Sequence, residues 1–199
     1  MTDRSDAAPT LTDRPGDDRQ AAILDAAFHA FATYGFRRVA MEDIARGAGM
    51  SRSALYLHYR NKEDIFRSLA QRYFETAVVE VRAALYRPGQ TTEEALMAAF
   101  IAKDGKFMEA VLGTPHGAEL MDAGFAISSD LAQEGEARLK AVLAEWMASR
   151  GLPEGLGRPE DVAQCLMVAL KGLKSGTEGL AGYRKGEAML AKVFAMALE

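Results

Sequence analysis

The stretch GFRRVAMEDIARGAGMSRSALYLHYRNKEDIF, residues 35–66, contains the most informative pattern in the sequence. Two short segments, about Met41–Ala48 and Arg52–Tyr59, have apolar residues at helical spacing and are joined by Gly49-Met50-Ser51. Glycine favours the end of a helix, and serine is a favourable N-cap for the next one. Two short helices joined by so tight a turn predict a helix-turn-helix.

Helical spacing of apolar residues continues on both sides of this motif. A first helix is predicted over about Asp18–Tyr34, and a long one over about Asn61–Arg87, with Asn61 as its N-cap. Five further helices are predicted over about Thr92–Leu112, His116–Ser128, Asp130–Arg150, Pro159–Gly176 and Leu180–Leu198. No stretch alternates with the period of two that a strand requires. The sequence therefore predicts an all-α protein of about nine helices.

Length and composition are those of a folded soluble protein, with 199 residues of which 49% are hydrophobic and 26% charged. No apolar run exceeds the eight residues Ala95–Ala102, whereas a spanning helix needs about 20. We expect a disordered tail at residues 1–16, a helix-turn-helix domain at 17–60, and a second helical domain at 61–199 that begins with a linking helix at 61–87. Because no secretory signal is evident and Cys165 is the single cysteine, we expect a cytoplasmic protein without disulfides.

The net charge of −4 is distributed unevenly along the chain. Residues 37–62 carry six basic and two acidic side chains, whereas residues 63–199 carry 15 basic and 20 acidic ones. A basic patch on an acidic body is a typical layout of a DNA-binding protein, although a charged run can also be an ordinary solvated surface.

Residues 23–66 resemble the DNA-binding domain of the tetracycline-repressor (TetR) family of bacterial transcriptional regulators. The matching segments, at fixed spacing, are Gly35-Phe36, Met41–Ala45, Ala48–Ser51, Ala54–Tyr59 and Asn61–Phe66. The resemblance implies a homodimer that binds a palindromic DNA operator and is released from it by a small-molecule effector. The chain departs from the family at Val39 and Ala40, where a threonine or serine usually caps the second helix.

In a helix-turn-helix the N-terminal end of the second helix enters the major groove. The residues at that end are Arg52, Ser53 and Ala54, and we expect them to contact base edges, although an arginine can equally contact phosphate. Tyr56 is a phosphate contact by resemblance to the family. The full set of expected phosphate contacts is Ser51, Tyr56, His58, Lys62, Arg38 and Arg46.

The C-terminal helices are apolar on nearly every face, which indicates that they are covered on two sides. We expect one side to pack on the same chain and the other on a second copy; the alternative is burial within one chain. The expected dimer interface comprises Val162, Leu166, Leu170, Leu173, Leu190, Val193 and Phe194.

Methionines and aromatic residues are frequent in the second half, as in a pocket for a small apolar or amphipathic effector. The candidates are Phe100, Phe107, Met108, Met121, Phe125, Trp146 and Met167, and each of them would equally suit an ordinary core. The sequence reveals no cluster of charges that would hold a ligand's head group. His116 and Glu119 share a helix face but are too few for a metal site, so we expect neither metal nor cofactor.

The sequence also bears on two other functional classes, an enzyme and a DNA-bound scaffold. Motifs typical of enzymes, such as G-x-S-x-G, a P-loop, G-x-G-x-x-G or H-E-x-x-H, do not occur, and Cys165 is expected to be inert packing, so we expect no enzyme. A DNA-bound scaffold without a small ligand remains an alternative.

Overall fold

The computed structural model describes the backbone of residues 15–199 and the side chains of residues 18–105, 107–123 and 126–199. This part of the chain forms eight helices and no strand, which confirms the all-α prediction. The helices are α1 Pro15–Tyr34, α2 Met41–Gly47, α3 Arg52–Tyr56, α4 Lys62–Leu85, α5 Thr92–Gly113, α6 Gly117–Arg150, α7 Pro159–Gly176 and α8 Gly179–Leu198. Residues 1–14 of the predicted tail lie outside the described residues, and α1 begins at Pro15.

Two of the predicted helices, His116–Ser128 and Asp130–Arg150, are joined in α6 across a kink at Ser128, where the backbone is not helical. Ser128 has φ −135° and ψ 25° there. Arg67 of α4 braces the kink by donating to the Ile127 carbonyl at 2.6 Å and to both oxygens of Asp130 at 2.6 and 2.9 Å. Hydrogen bonding by the Arg67 guanidinium lowers the pKa of Asp130 to about 2. The predicted break therefore lies at the right residue, but as a braced kink.

Helix α3 is shorter than predicted, ending at Tyr56 instead of Tyr59. The N–H groups of His58 and Tyr59 both donate to the Leu55 carbonyl, so the chain turns back at this point. Tyr59 returns to the core, where its hydroxyl accepts a hydrogen bond from Gln20 at 3.1 Å.

Side-chain caps fix the start of two helices, as predicted. The Ser51 hydroxyl accepts from the Ala54 N–H at 3.1 Å, and the Asn61 side chain accepts from the Asp64 N–H at 2.7 Å. Helix α2 has no side-chain cap at Ala40, as its sequence implies. The backbone N–H of Ala40 instead donates to the Asp43 carboxylate at 3.0 Å.

Two apolar clusters form the core. The first holds α1–α3 together and continues into the second half of the chain, because Leu120 of α6 and Tyr183 of α8 belong to it. Phe31, Phe36 and Phe66 lie at its centre with ring centroids 5.1–5.8 Å apart. The second cluster lies between α4, α5, α6, α7 and α8. The core therefore crosses the predicted boundary between residues 60 and 61.

The structure corrects the predicted dimer interface. Val162, Leu166 and Leu170 recur at helical spacing on α7 and are buried in the second cluster, so they are unavailable to another chain. Leu173, Leu190 and Phe194 are half-buried against the core, and of the predicted set only Val193 is exposed.

Lys62, the first residue of α4, holds the turn between α1 and α2. Its ammonium donates to the carbonyls of Phe36, Arg37 and Val39 at 2.8, 3.0 and 3.1 Å, and it lies 4.8 Å from the centre of the Phe36 ring. An ammonium has three hydrogens, so none is left for a phosphate oxygen. The expected phosphate contact by Lys62 is thus replaced by a structural one.

We expect Lys62→Met to lower the free energy of unfolding by about 1–3 kcal/mol, because three carbonyls lose a charged donor while the aliphatic stem is kept. Urea denaturation followed by circular dichroism measures the change. The matched control is Arg60→Met, since the Arg60 side chain is 92% exposed, and its effect should stay within about 0.5 kcal/mol. Equal losses in the two variants would contradict the role of Lys62.

Candidate functional site

The N-terminal end of α3 presents polar side chains on a rigid support. Leu55 is completely buried, whereas Arg52 and Ser53 on the opposite face are exposed and Ala54 is half-buried. The Ser51 hydroxyl lies 3.0 Å from that of Ser53, in addition to capping the helix. The three residues expected to contact bases therefore share one end of an anchored helix, as a probe of the major groove requires.

Arg52 and Tyr56 are brought together on this surface. The Arg52 guanidinium lies 5.6 Å from the centre of the Tyr56 ring, a cation–π contact, and Tyr56 is 44% exposed. We call the exposed set Arg52, Ser53 and Tyr56 the recognition surface. Next to it, Leu57 is 87% exposed. Nothing in the sequence indicates a role for Leu57, because an apolar residue is ordinarily expected to be buried.

Further cations surround the recognition surface. Arg37 and Arg38 are exposed in the turn between α1 and α2, and His58 is exposed just after α3. Arg46 is exposed and bonded to Asp43 at 2.6 Å. The backbone N–H of Ala40, together with Arg46, lowers the pKa of Asp43. The expected phosphate contacts other than Lys62 thus lie at the surface of the same unit.

The turn between α1 and α2 is also bonded to α6. The N–H of Arg37 donates to the Glu119 carboxylate at 2.5 Å. Gly35, with φ 85°, allows this approach, because a Cβ there would lie 2.5 Å from a Glu119 oxygen. His116 is 4.0 Å from Glu119, and the described residues contain no group of three or more metal-ligating side chains. Glu119 therefore joins the helix-turn-helix unit to the second half of the chain.

A cavity of about 880 Å³ lies between α1, α4, α5 and α6. Its apolar wall includes Phe28, Phe31, Phe66, Leu69, Phe74, Phe107, Leu120 and Met121. Of the predicted effector-pocket residues, Phe107 and Met121 line it. Phe100, Met108 and Trp146 are instead buried in the core, Met167 packs against the second cluster, and the Phe125 side chain lies outside the described residues.

The cavity has a polar end that the sequence analysis missed. Lys103, Lys174 and Tyr73 line it, and the buried Asp104 lies behind them. Lys103 donates to both oxygens of Asp104 at 3.0 and 3.1 Å, and Lys174 donates to one of them at 2.9 Å. The hydroxyls of Tyr73 and Tyr183 complete the set at 3.1 and 2.7 Å.

Burial alone would raise the pKa of Asp104, but the charges of Lys103 and Lys174 outweigh it and hold that pKa well below its usual range. Burial also raises the pKa of Tyr73 and lowers that of Lys103. The carboxylate is therefore ionised at neutral pH, and Tyr73 keeps its proton.

Helices α7 and α8 expose an apolar surface, which we call the α7–α8 face. It comprises Cys165, Val168, Met189, Val193 and Met196. The expected burial of Cys165 is thus wrong, because the apolar stripe on its helix turns the thiol outward. In residues 15–199, no helix combines the length and apolar character needed to cross a membrane.

The comparison with known proteins agrees with this geometry. The model of the family described as "Bacterial regulatory proteins, tetR family" matches residues 23–69. The HTH-type transcriptional activator FasR of Mycolicibacterium smegmatis is 35% identical over 71 residues, 36% of this chain and 32% of FasR. The HTH-type transcriptional regulator EthR of the same organism is 43% identical over 54 residues, 27% of this chain and 25% of EthR. The chain thus aligns with a third or less of these two relatives.

Solved structures share the fold over nearly the whole chain. A TetR-family regulator from Mesorhizobium loti has a TM-score of 0.65 at 20% identity, covering 92% of this chain and 98% of its own. SmeT, the repressor of a Stenotrophomonas maltophilia multidrug efflux pump, has a TM-score of 0.62 at 22% identity, covering 89% of this chain and 88% of its own. SmeT has also been solved in complex with triclosan.

The matched helix-turn-helix, its exposed recognition surface and the shared all-helical fold lead to one conclusion. Residues 23–69 carry the N-terminal domain of the tetR family of bacterial regulatory proteins, and the chain as a whole shares the fold of solved TetR-family regulators.

Proposed function

We propose that the protein is a sequence-specific transcriptional repressor that binds a palindromic DNA operator as a homodimer and leaves it when a small molecule fills the cavity. It would act in the cytoplasm and have no catalytic role. The observation that carries the proposal is the recognition surface, an exposed polar helix end anchored by the buried Leu55. The relatives FasR and EthR are named as regulators of transcription, and SmeT as a repressor.

In the proposed complex, α3 enters the major groove and the surrounding cations contact the backbone. Arg52 can donate two parallel hydrogen bonds to a guanine edge, and Tyr56 supports its guanidinium from the side. Ser53 and the Ala54 methyl would contact the neighbouring bases. Arg38, Arg46, Ser51, Tyr56 and His58 are assigned to phosphates, and Lys62 acts indirectly by holding the turn.

The homodimer would form through the α7–α8 face. Val168 and Met196 are 58% and 73% exposed there, and exposed apolar side chains that form one patch typically mark an interface. A two-fold dimer would place two recognition surfaces on two half-sites of a palindrome.

Coupling between the cavity and DNA would run through α1, which borders the cavity and is bonded to α4. Phe28 and Phe31 of α1 line the cavity directly, and Arg72 of α4 is bonded to Asp25 of α1 at 2.6 Å. A ligand in the cavity therefore touches a helix of the DNA-binding domain, and coupling energies of this kind are typically about 1–3 kcal/mol.

Selection from a pool of random duplex DNA tests the proposed function. We expect a palindrome to be enriched. Arg52→Ala should weaken binding to it by about 1–3 kcal/mol and relax the preference at one position of each half-site, because a bidentate base contact is lost. The control is Arg60→Ala, an exposed arginine beside α3, which should weaken binding equally for all sequences. Binding that stays sequence-blind and steeply salt-dependent would contradict the proposal.

The dimer has a separate test by sedimentation. The wild-type chain should sediment at twice its mass of 21.6 kDa. Val168→Glu should shift it to the monomer, because a charge in an apolar interface has no partner. Val79→Glu is the matched control, since Val79 is 68% exposed on α4, away from the α7–α8 face. A dimer that persists in the Val168 variant would overturn the assigned interface.

A further inference from the structure

The lysines at the polar end of the cavity have more hydrogens than Asp104 can accept. Asp104 accepts two hydrogen bonds from Lys103 and one each from Lys174 and Tyr183, and the Tyr73 hydroxyl lies 3.1 Å from it but closer, at 2.6 Å, to the Lys103 carbonyl. Lys174 uses one of its three hydrogens on that carboxylate and Lys103 uses two. Lys174 therefore has two hydrogens left for another acceptor at this corner.

Ser128 supplies a second, independent indication of a ligand. Ser128 lines the cavity and is only 2% exposed, and its hydroxyl has no hydrogen-bond partner. It lies at the kink of α6. A buried hydroxyl without a partner is costly, and a ligand oxygen would satisfy it.

The remainder of the cavity is aromatic and extends away from this corner toward α1. Tyr73 marks the border, with its hydroxyl on Asp104 and its ring 4.9 and 5.3 Å from the rings of Phe74 and Phe107. Beyond them lie Phe66 and Phe31, whose ring centroids are 5.8 Å apart. A cavity of about 880 Å³ is large enough for an extended organic molecule.

Building on the proposed function, we infer that the effector is an amphipathic molecule with a single carboxylate head. Lys103, Lys174 and Ser128 would hold the carboxylate, and the apolar tail would run along the phenylalanines toward Phe31 and Phe28 of α1. The tail would thereby reach the helix of the DNA-binding domain that borders the cavity.

Glu136 influences how much negative charge the ligand's head group can carry. It lines the same cavity and influences Lys103 electrostatically, but it forms no ion pair within 4.0 Å among the described residues. With Glu136 in one wall and Asp104 behind the lysines, two carboxylates already face two ammonium groups, so each further negative charge on a head group adds repulsion. A doubly charged phosphate ester would be repelled, which favours the carboxylate.

Titration calorimetry of the full chain, without DNA, tests this inference. The probes are dodecanoate, 1-dodecanol and dodecyltrimethylammonium, each below its critical micelle concentration. These three share one tail and differ only in the head. We expect dodecanoate to bind at least about tenfold more tightly than the other two, because charge-assisted hydrogen bonds favour it.

Variants locate the head group. Lys174→Met should lower the affinity for dodecanoate about tenfold and leave the affinity for dodecanol unchanged. The unchanged affinity for dodecanol also shows that the variant is folded. Ser128→Ala should weaken dodecanoate several-fold, and Glu136→Gln should strengthen it by removing a repulsion. Lys171→Met is the control on the same helix, because Lys171 is exposed and does not line the cavity.

Three outcomes would each overturn the inferred ligand class: equal affinities for dodecanoate and dodecanol, tighter binding of the ammonium probe, or no binding of any probe. So would a Lys174→Met variant that binds dodecanoate like the wild type. The DNA selection described above is run without ligand, so its result is independent. If a palindrome is enriched but dodecanoate does not bind, the proposed regulator is supported and the ligand class is wrong. If dodecanoate binds but no palindrome is enriched, only the ligand site is supported.

Discussion

The Lys62 ammonium holds the helix-turn-helix unit in place on the body of the protein. Lys62 donates all three of its ammonium hydrogens to carbonyls of the turn between α1 and α2, and it is also the first residue of α4. Glu119 of α6 holds the same turn by accepting from the Arg37 N–H. A residue of α4 therefore binds the carbonyls of the turn, and a residue of α6 binds one of its N–H groups. The helix-turn-helix unit can reorient only if α4 or α6 moves with it.

The kink in α6 connects this junction with the cavity. Glu119 lies on the segment before Ser128, and Asp130 lies on the segment after it, where Arg67 of α4 clamps it. Ser128 itself lines the cavity between them. A molecule that bonds to this hydroxyl therefore acts where the two segments of α6 meet, with one end attached to the turn and the other to α4. In the proposed function, a ligand in the cavity would therefore act on both segments of α6 at Ser128.

The features that sequence analysis predicted correctly are local ones. Gly49 and Ser51 define the turn of the motif, and Ser51 and Asn61 cap their helices, because each effect depends on residues within one helical turn.

The features that it missed depend on distant partners. Lys62 bonds to carbonyls 23–26 residues earlier, and no side-chain pattern reveals a backbone acceptor. Lys174 is 70 residues from Asp104, so their cluster appears only in the folded chain. On α7 the pattern predicted an apolar helix but not which face is inward. The stripe of Val162, Leu166 and Leu170 is buried, and Val168 faces out.

The cluster around Asp104 is poorly explained by stability alone. Removing a carboxylate and an ammonium from water costs several kcal/mol each by order of magnitude (about as much as their attraction returns), and apolar residues of equal volume often serve as well or better. Asp104 is fully buried, and Lys103 nearly so. An apolar core would need neither lysine, whereas a site for a carboxylate needs both, together with Asp104 to hold them in place when the site is empty. The proposed carboxylate site would thus account for the charges at this corner, whereas packing accounts for the helices around them.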